Sequence, residues 1–408
     1  MNDTRVDSRQ AWTRLAAIVA LGTLGGAGMW TVVVTLPYLQ AEFGVSRAGA
    51  SLPYTLTMLG FGVGGIVMGR LADRFGVMVP LLGGTVMLAA GFVAAGMSTS
   101  LMQFALVQGV MISLFGAAAA FGPLMAEASL WFQRRRGIAV ALAASGNYLA
   151  GAIWPPILNM LIGWIGWRQA HMAIGATLLV TMLPLALLLR GRAPGTGASA
   201  GKVAQATHDT APARPLGMTP NGLTALLCIA GIGCCVAMAM PQVHIVAYCG
   251  DLGYGVARGV EMLSLMLLCG IISRLASGLI ADRIGGLATL LLGSVLQAVA
   301  LSFYLMFDSL VSLYVISALF GLFQGGIVPS YAVIVREHFP PGQAATRVGI
   351  VLMATLVGMA LGGWLSGLVF DLTGSYGAAF VNGIAWNAMN ILILVPLLLR
   401  SRRLLAVR

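Results

Sequence analysis

Apolar stretches of about 20 residues recur along the whole chain, and no water-soluble fold accommodates that pattern. A helix of that length spans a hydrocarbon layer about 30 Å thick, and it bonds every backbone N–H and C=O internally. Lipid offers no other partner for those groups, so long apolar runs mean helices. Transmembrane barrel strands would instead read as short alternating segments, which do not dominate here. Composition agrees: 59% of the 408 residues are hydrophobic and only 9% are charged. A soluble domain needs far more charge to cover its surface. The runs predict helices at 14–38, 48–71, 78–97, 101–130, 137–159 and 167–190, then at 220–248, 257–281, 286–306, 310–335, 343–370 and 376–399.

The net charge of +11 would suggest nucleic acid in a soluble protein. Here the basic residues cluster at helix ends instead. Most of the 23 Lys and Arg fall on one side of the predicted spans. The opposite loops hold only Arg47, Arg168 and Arg258. The positive-inside rule then places both termini in the cytoplasm, in the plasma (inner) membrane if the source is bacterial. The expected organisation is a cytoplasmic tail (1–13), a six-helix bundle (14–190), a Gly-, Ala-, Pro- and Thr-rich linker (191–219), a second bundle (220–399) and a short tail (400–408). The polar N-terminal segment lacks the short apolar core and cleavage site of a secretory signal, so it reads as a retained tail. Five cysteines (228, 234, 235, 249 and 269) lie in or beside two adjacent spans. They lack the spacing of a zinc site and, being odd in number, complete no disulfide framework.

The two halves repeat. Gly69-Arg-Leu-Ala-Asp73-Arg74-Phe-Gly76 follows the second span, and Gly278-Leu-Ile-Ala-Asp282-Arg283-Ile-Gly285 follows the eighth, at an offset of 209 residues. Gly137, Ile138 and Gly146 recur as Gly349, Ile350 and Gly358, at an offset of 212. Copies in the same topological place and orientation mean a parallel repeat about an axis along the membrane normal. A substrate site is expected between such halves, near the midplane.

These paired Gly-x-x-x-Asp-Arg-x-Gly loops resemble the signature of the major facilitator superfamily, and the resemblance spans essentially the whole chain. It implies an all-α membrane protein of twelve transmembrane helices in two parallel-repeat six-helix bundles. It also implies that Asp73, Arg74, Asp282 and Arg283 act in gating, at helix contacts that hold one access state. The first loop departs from the fuller pattern, with Val77 and Met78 where basic residues are usual. A narrower stretch, Trp131-Phe-Gln-Arg-Arg-Arg-Gly137 with Ala144-Ser-Gly146, resembles the monocarboxylate porter and oxalate/formate antiporter branches. Gly166-Trp167-Arg168 opening the sixth span fits the same relatives.

Arg274 is the most informative single residue. It lies eight residues before Asp282, about 12 Å along the helix from the cytoplasmic end. An arginine at such depth costs about 2.5–3.5 kcal/mol on insertion scales, and it is tolerated where it faces a wet cavity or a partner. Gly270 and Gly278 flank it by one turn, which reads as a trough of small residues, and its counterpart in the first half is Gly65. Its own helix has no nearby acid, and a planar fork of donors suits an incoming carboxylate. A structural arginine bonded to carbonyls, or to an acid on another helix, is the alternative. The monocarboxylate branch implies a substrate-binding arginine on this helix. That branch often has an aspartate one turn earlier, where this chain has Gly270, and a first-helix lysine, absent here between Arg14 and Tyr38.

His244 follows Pro241 on the seventh span and is a candidate for anion contact or proton coupling, against simple packing. The family implies that spans 1, 4, 7 and 10 line the path. This adds Trp30, Phe121, Gln324 and Tyr331, each weighed against ordinary helix packing. On the fifth span Asn147, Gly151 and Trp154 share a stripe. Gly116 to Pro123 carries no polar side chain, so a cavity it lined would suit an apolar substrate part.

No nucleotide loop, paired catalytic carboxylates or Ser/His/Asp arrangement occurs, so an enzyme is not expected, and neither is a cofactor or a metal. The leading expectation is a monomeric secondary transporter of a small organic anion, one that carries a single carboxylate and is coupled or not to protons. It would work by rocker-type alternating access with Arg274 on the carboxylate. Its partners are that anion and the lipid bilayer, with no nucleic acid. A lipophilic-drug efflux pump, an oxalate/formate-type exchanger and a membrane sensor are the competing readings.

Overall fold

Helices account for every regular element among the residues described by the computed structural model: 7–132, 134–190 and 215–406. Most of the expected linker (191–214) lies outside the described residues, as do the tail residues 1–6 and 407–408. Ten apolar helices each make one crossing: α1 (Arg9–Phe43), α2 (Arg47–Phe75), α3 (Met78–Gly96), α4 (Leu101–Trp131), α7 (Pro220–Asp251), α8 (Val256–Ile284), α9 (Gly286–Met306), α10 (Leu310–His338), α11 (Thr346–Thr373) and α12 (Tyr376–Leu404). One further helix, Gly137–Leu187, runs for 51 residues. At 1.5 Å per residue it is about 76 Å long, more than twice a hydrocarbon core. Gly166 breaks it with φ 78° and ψ 160°. It therefore supplies two crossings, α5 (137–165) and α6 (167–187), and the total is twelve.

The lipid-facing character shows in what is exposed. Trp164, Val180, Val311, Leu372 and Leu392 stand largely exposed, whereas buried positions include Gln108, Gln324, Asn387 and Asn390. A soluble protein would bury the first set and expose most of the second.

The chain divides into two compact units: residues to 200 together with 255–264, and residues 201–254 with 265–408. Inside each, the sequence repeat reappears as repeated packing. A Cβ on Gly146 of α5 would lie 3.0 Å from the Val19 carbonyl of α1. One on Gly358 of α11 would lie 2.7 Å from the Ile232 carbonyl of α7. Only glycine lets either backbone pair approach so closely. The signature loops match as well: Gly76 (φ 80°, ψ 166°) and Gly285 (φ 82°, ψ 162°) end α2 and α8 in the same positive-φ conformation. Side chains disfavour that region, which explains a glycine at this point of both copies.

Helix α4 is not continuous. Its π-helical turns over Val107–Ala117 give way to tighter turns at 118–121, and helix resumes at Gly122. Pro123 has no N–H to carry the earlier ladder through, so the helix must restart there. This corrects the expectation of an uninterrupted fourth helix.

Candidate functional site

In the first unit, the candidates from α1 and α5 form a pair. Trp30 is buried, and its indole N–H donates to Asn147 Oδ1 at 2.7 Å and to the Asn147 carbonyl at 3.0 Å. Asn147 Nδ2 lies 3.5 Å from Met29 Sδ. Trp154, one stripe further on, donates to the Thr23 carbonyl at 2.8 Å. The polar end of each tryptophan is therefore used to dock α5 on α1.

Phe121, expected in mid-helix, sits instead at the break in α4 with φ −123° and ψ −76°. Its ring packs on Phe61 at 5.4 Å. The alanines before it pack against neighbouring helices. A Cβ on Gly25 of α1 would meet Ala120, one on Gly64 of α2 would meet Ala118, and one on Gly84 of α3 would meet Ala119. Three helices converge there because alanine keeps the crossing shallow.

In the second unit, Arg274 is half-buried on α8. That helix has 29 residues, about 43 Å, and Arg274 lies about 6 Å from its midpoint. The expected glycine trough is half present. Gly270 packs on Gly325 of α10, where a Cβ on Gly325 would lie 2.3 Å from the Gly270 carbonyl. Gly278 is exposed, with nothing within 4 Å of where a Cβ would be. Successive i, i+4 positions drift around a helix, so the two glycines meet different surroundings.

His244 is 2% exposed, and its Nε2 lies 2.8 Å from the Gly363 carbonyl of α11. The Tyr376 ring of α12 is 5.8 Å away. Tyr331 is fully buried: its hydroxyl lies 3.3 Å from Asn390 Oδ1 and 3.4 Å from Cys234 Sγ, with one proton to give to one or the other. Asn390 Nδ2 donates to Ser294 Oγ at 2.8 Å, and Asn387 Nδ2 donates to the Ser294 carbonyl at 2.7 Å. Gln297 adds a 3.0 Å bond to the Cys234 carbonyl. Tyr331 thus spends its hydroxyl inside a network joining α7, α9, α10 and α12. Gln324 behaves differently. It accepts from Gln242 Nε2 at 2.7 Å, while its own Nε2 has no hydrogen-bond partner.

Asp73, Arg74, Asp282 and Arg283 are exposed, and none forms an ion pair among the described residues. Arg74 lies over the Phe75 ring at 5.1 Å. At Gly285–Gly286, Glu337 of α10 accepts from the Gly286 N–H at 3.0 Å and so caps the start of α9.

Sequence reasoning missed several residues. Arg14 on α1 is 4% exposed; it bonds Glu127 of α4 at 3.0 Å and the Leu189 and Arg190 carbonyls at 2.7 and 3.0 Å. Trp131 completes the cluster, donating to Glu127 at 2.9 Å under the Arg14 guanidinium. At the other end of the first unit, Glu42 accepts from Trp167 at 2.6 Å and pairs with Arg168. Buried His171 lies among Phe92, Phe104 and Trp167. Gln242 stands immediately after Pro241 in the segment that holds His244, a polar side chain in an apolar run and the one signal that could have flagged it. The others depend on partners remote in sequence.

Twelve helices in two internally repeated units, with polar groups buried and apolar ones exposed, define an integral membrane transporter. The chain belongs to the Major Facilitator Superfamily, whose family description matches residues 18–307 and 262–406. It is similar to monocarboxylate transporter 13 of Rattus norvegicus, 29% identical over 89% of this chain and 82% of that protein. It is also similar to an MFS-type transporter of Aspergillus niger, 26% identical over 76% of this chain and 69% of that one. Among solved structures, a bacterial homolog of the human lysosomal transporter Spinster superposes with a TM-score of 0.73 at 15% identity, covering 95% of this chain and 96% of that one. The nucleoside transporter NupG gives 0.71 at 15% identity, over 96% and 99%. The structural likenesses bear on fold alone.

Proposed function

We propose that this transporter carries a small organic anion with one carboxylate, by rocker-type alternating access of its two bundles, and that Arg274 binds the carboxylate. The observation that carries the reading is the position of Arg274: a half-buried arginine whose backbone lies about 6 Å along α8 from the middle of that membrane helix. So costly a placement is kept where it serves a ligand. A guanidinium offers paired donors in the geometry of a carboxylate. One such cation suits one carboxylate better than two. The likeness to monocarboxylate transporter 13 supports the same class.

Trp30, Asn147, His244, Phe121 and Tyr331 remain proposed contributors to the path. Their described bonds point to holding helices in place as much as to touching substrate. Asp73, Arg74, Asp282 and Arg283 are proposed to act in gating, with both termini cytoplasmic.

Removing one partner of a desolvated carboxylate–guanidinium pair costs about 2–5 kcal/mol, or about 30- to 5,000-fold in affinity. Arg274→Ala is therefore expected to abolish uptake of monocarboxylates into proteoliposomes while the purified protein stays monodisperse. Arg274→Lys keeps the charge, loses the fork and should retain only weak uptake. Unchanged uptake by well-folded Arg274→Ala would refute the assignment. The second reading, efflux of lipophilic compounds, draws on the likeness to a protein named the agnestins efflux protein, 24% identical over 81% of this chain. It predicts transport of uncharged compounds indifferent to Arg274.

A further inference from the structure

A groove of about 280 Å³ opens between the end of α9 and the start of α10. Helix α9 crosses the membrane from the Asp282 loop, so the turn that joins it to α10 lies at the opposite membrane surface. Phe303 and Phe307 form one wall, their rings edge to face at 6.3 Å. Val311, Val315, Ile316 and Leu319 form the other, along one stripe of α10. On their buried faces the two helices are tied together. The Tyr304 hydroxyl and Ser317 Oγ are 2.8 Å apart, and the Tyr304 ring packs on Phe320 at 6.4 Å. Val311 and Val315, by contrast, are 74% and 53% exposed. The groove therefore has a fixed back and faces the lipid.

Its dimensions decide what fits. Val311 to Leu319 is about 12 Å along the helix, and one leaflet of the hydrocarbon core is about 15 Å deep. The groove thus runs from the membrane surface through most of one leaflet. Spread over that length, 280 Å³ gives a mean cross-section of about 23 Å². A helix about 10 Å across needs about 80 Å², so no neighbouring helix can enter. A second copy laid over a strip about 12 Å by 10 Å would bury about 120 Å², far below the roughly 800 Å² per partner of a stable pair. A polymethylene chain is slender enough to enter along the whole length.

The lining carries no charge, and Ser312 is its one polar side chain. Ser312 Oγ lies 2.7 Å from Ser309 Oγ at the mouth, where Ser309 caps the start of α10. Asp308, exposed in the same turn, adds a negative charge there. That charge disfavours the carboxylate of a free fatty acid and suits a headgroup that carries an ammonium.

We infer that the groove is a lipid site, holding one acyl chain of a phospholipid with an ammonium-bearing headgroup from the leaflet at the α9–α10 turn. Leu319, at the deep end, lies five residues before α10 is interrupted after Gln324, so the chain braces this part of α10 against α9. The site is independent of what the transporter carries. Lipid tails are as apolar as these walls, so preference over ordinary boundary lipid rests on contact with several walls at once, and it is modest, about three- to tenfold.

The test uses phosphatidylethanolamine with a photoreactive group midway along one chain, reconstituted with the whole protein at increasing mole fractions. Labelling of residues 303–319 should saturate. It should exceed labelling around Val180 and Leu392, exposed positions on other helices, by that factor. Val315→Phe and Val311→Trp each fill the groove from a lipid-exposed position. Either should drop its labelling to the level of those references, with the references unchanged. A free fatty acid bearing the same photoreactive chain should label the groove no more than the references. Labelling that rises in proportion to mole fraction and stays at reference level would show boundary lipid only and overturn the inference. Saturable labelling that survives in both variants, or that the fatty acid matches, would overturn it too.

Discussion

The Arg14–Glu127 pair can be dissected as a double-mutant cycle, and the structure sets the sizes. Both side chains are almost wholly buried, at 5% and 9% exposure. Arg14→Leu removes the 3.0 Å ion pair, the bonds to the Leu189 and Arg190 carbonyls, and the guanidinium lying 4.2 Å over the Trp131 ring. Glu127 would then be a buried carboxylate held by Trp131 alone. Breaking a buried pair from one side costs about 3–5 kcal/mol. For a unit of about 200 residues, 1 kcal/mol moves the melting temperature by about 2–4 °C, so the expected loss is about 6–20 °C. Glu127→Leu should cost less, because Arg14 keeps two carbonyls and the aromatic face. In the double variant neither charge is stranded, so it should lie well above the sum of the singles, with a coupling of about 2–4 kcal/mol. The assay is thermal unfolding of the four proteins in one detergent at one scan rate. Additive losses, or an Arg14→Leu protein melting within 1 °C of the parent (about 0.3–0.5 kcal/mol), would refute the argument that the charges are held by each other.

Three further expectations separate packing from surface chemistry. A Cβ on Gly321 would lie 2.1 Å from the Met266 carbonyl, a backbone contact that cannot swing aside. Gly321→Val should therefore cost at least about 3 kcal/mol and sharply lower the yield of folded protein. Gly83 on α3 has nothing within 4 Å of its would-be Cβ, and Gly83→Ala should stabilise by about 0.5–1 kcal/mol, seen as a small rise in melting temperature. Arg168 and Glu42 are 35% and 38% exposed, so Arg168→Ala should cost no more than about 1 kcal/mol, and less at high salt.

Much of the architecture was legible in the chain because the bilayer leaves few choices. The expected spans agree with the observed ones to within several residues at most ends, and the long apolar helix broken at Gly166 was already divided in two, as 137–159 and 167–190. The repeated glycines also announced their work: Gly146 and Gly358 do the same packing in each unit, as do Gly76 and Gly285 in the two loops. The candidate site was read less well. Arg274 could be flagged because a charge at mid-depth is costly whatever surrounds it. Whether a tryptophan, tyrosine or glutamine is spent on packing could not be read, because that depends on which carbonyl or amide stands opposite. Trp30 found Asn147, 117 residues away, and Tyr331 found Asn390, 59 residues away.

The sequence by itself therefore determined that this is a twelve-helix, two-part membrane protein, and it singled out the deeply placed Arg274. These conclusions rest on local physics: the length of an apolar run, the cost of a charge in lipid, the need for glycine at positive φ. Only the tertiary structure decided which polar side chains still have bonds to give. It closed the hydroxyl of Tyr331 into a network, broke α4 at Phe121, and left Gln242 and Gln324 with one donor and one acceptor between them. Hydrogen-bond satisfaction belongs to pairs of helices and not to single ones, so no reading of one segment at a time could supply it.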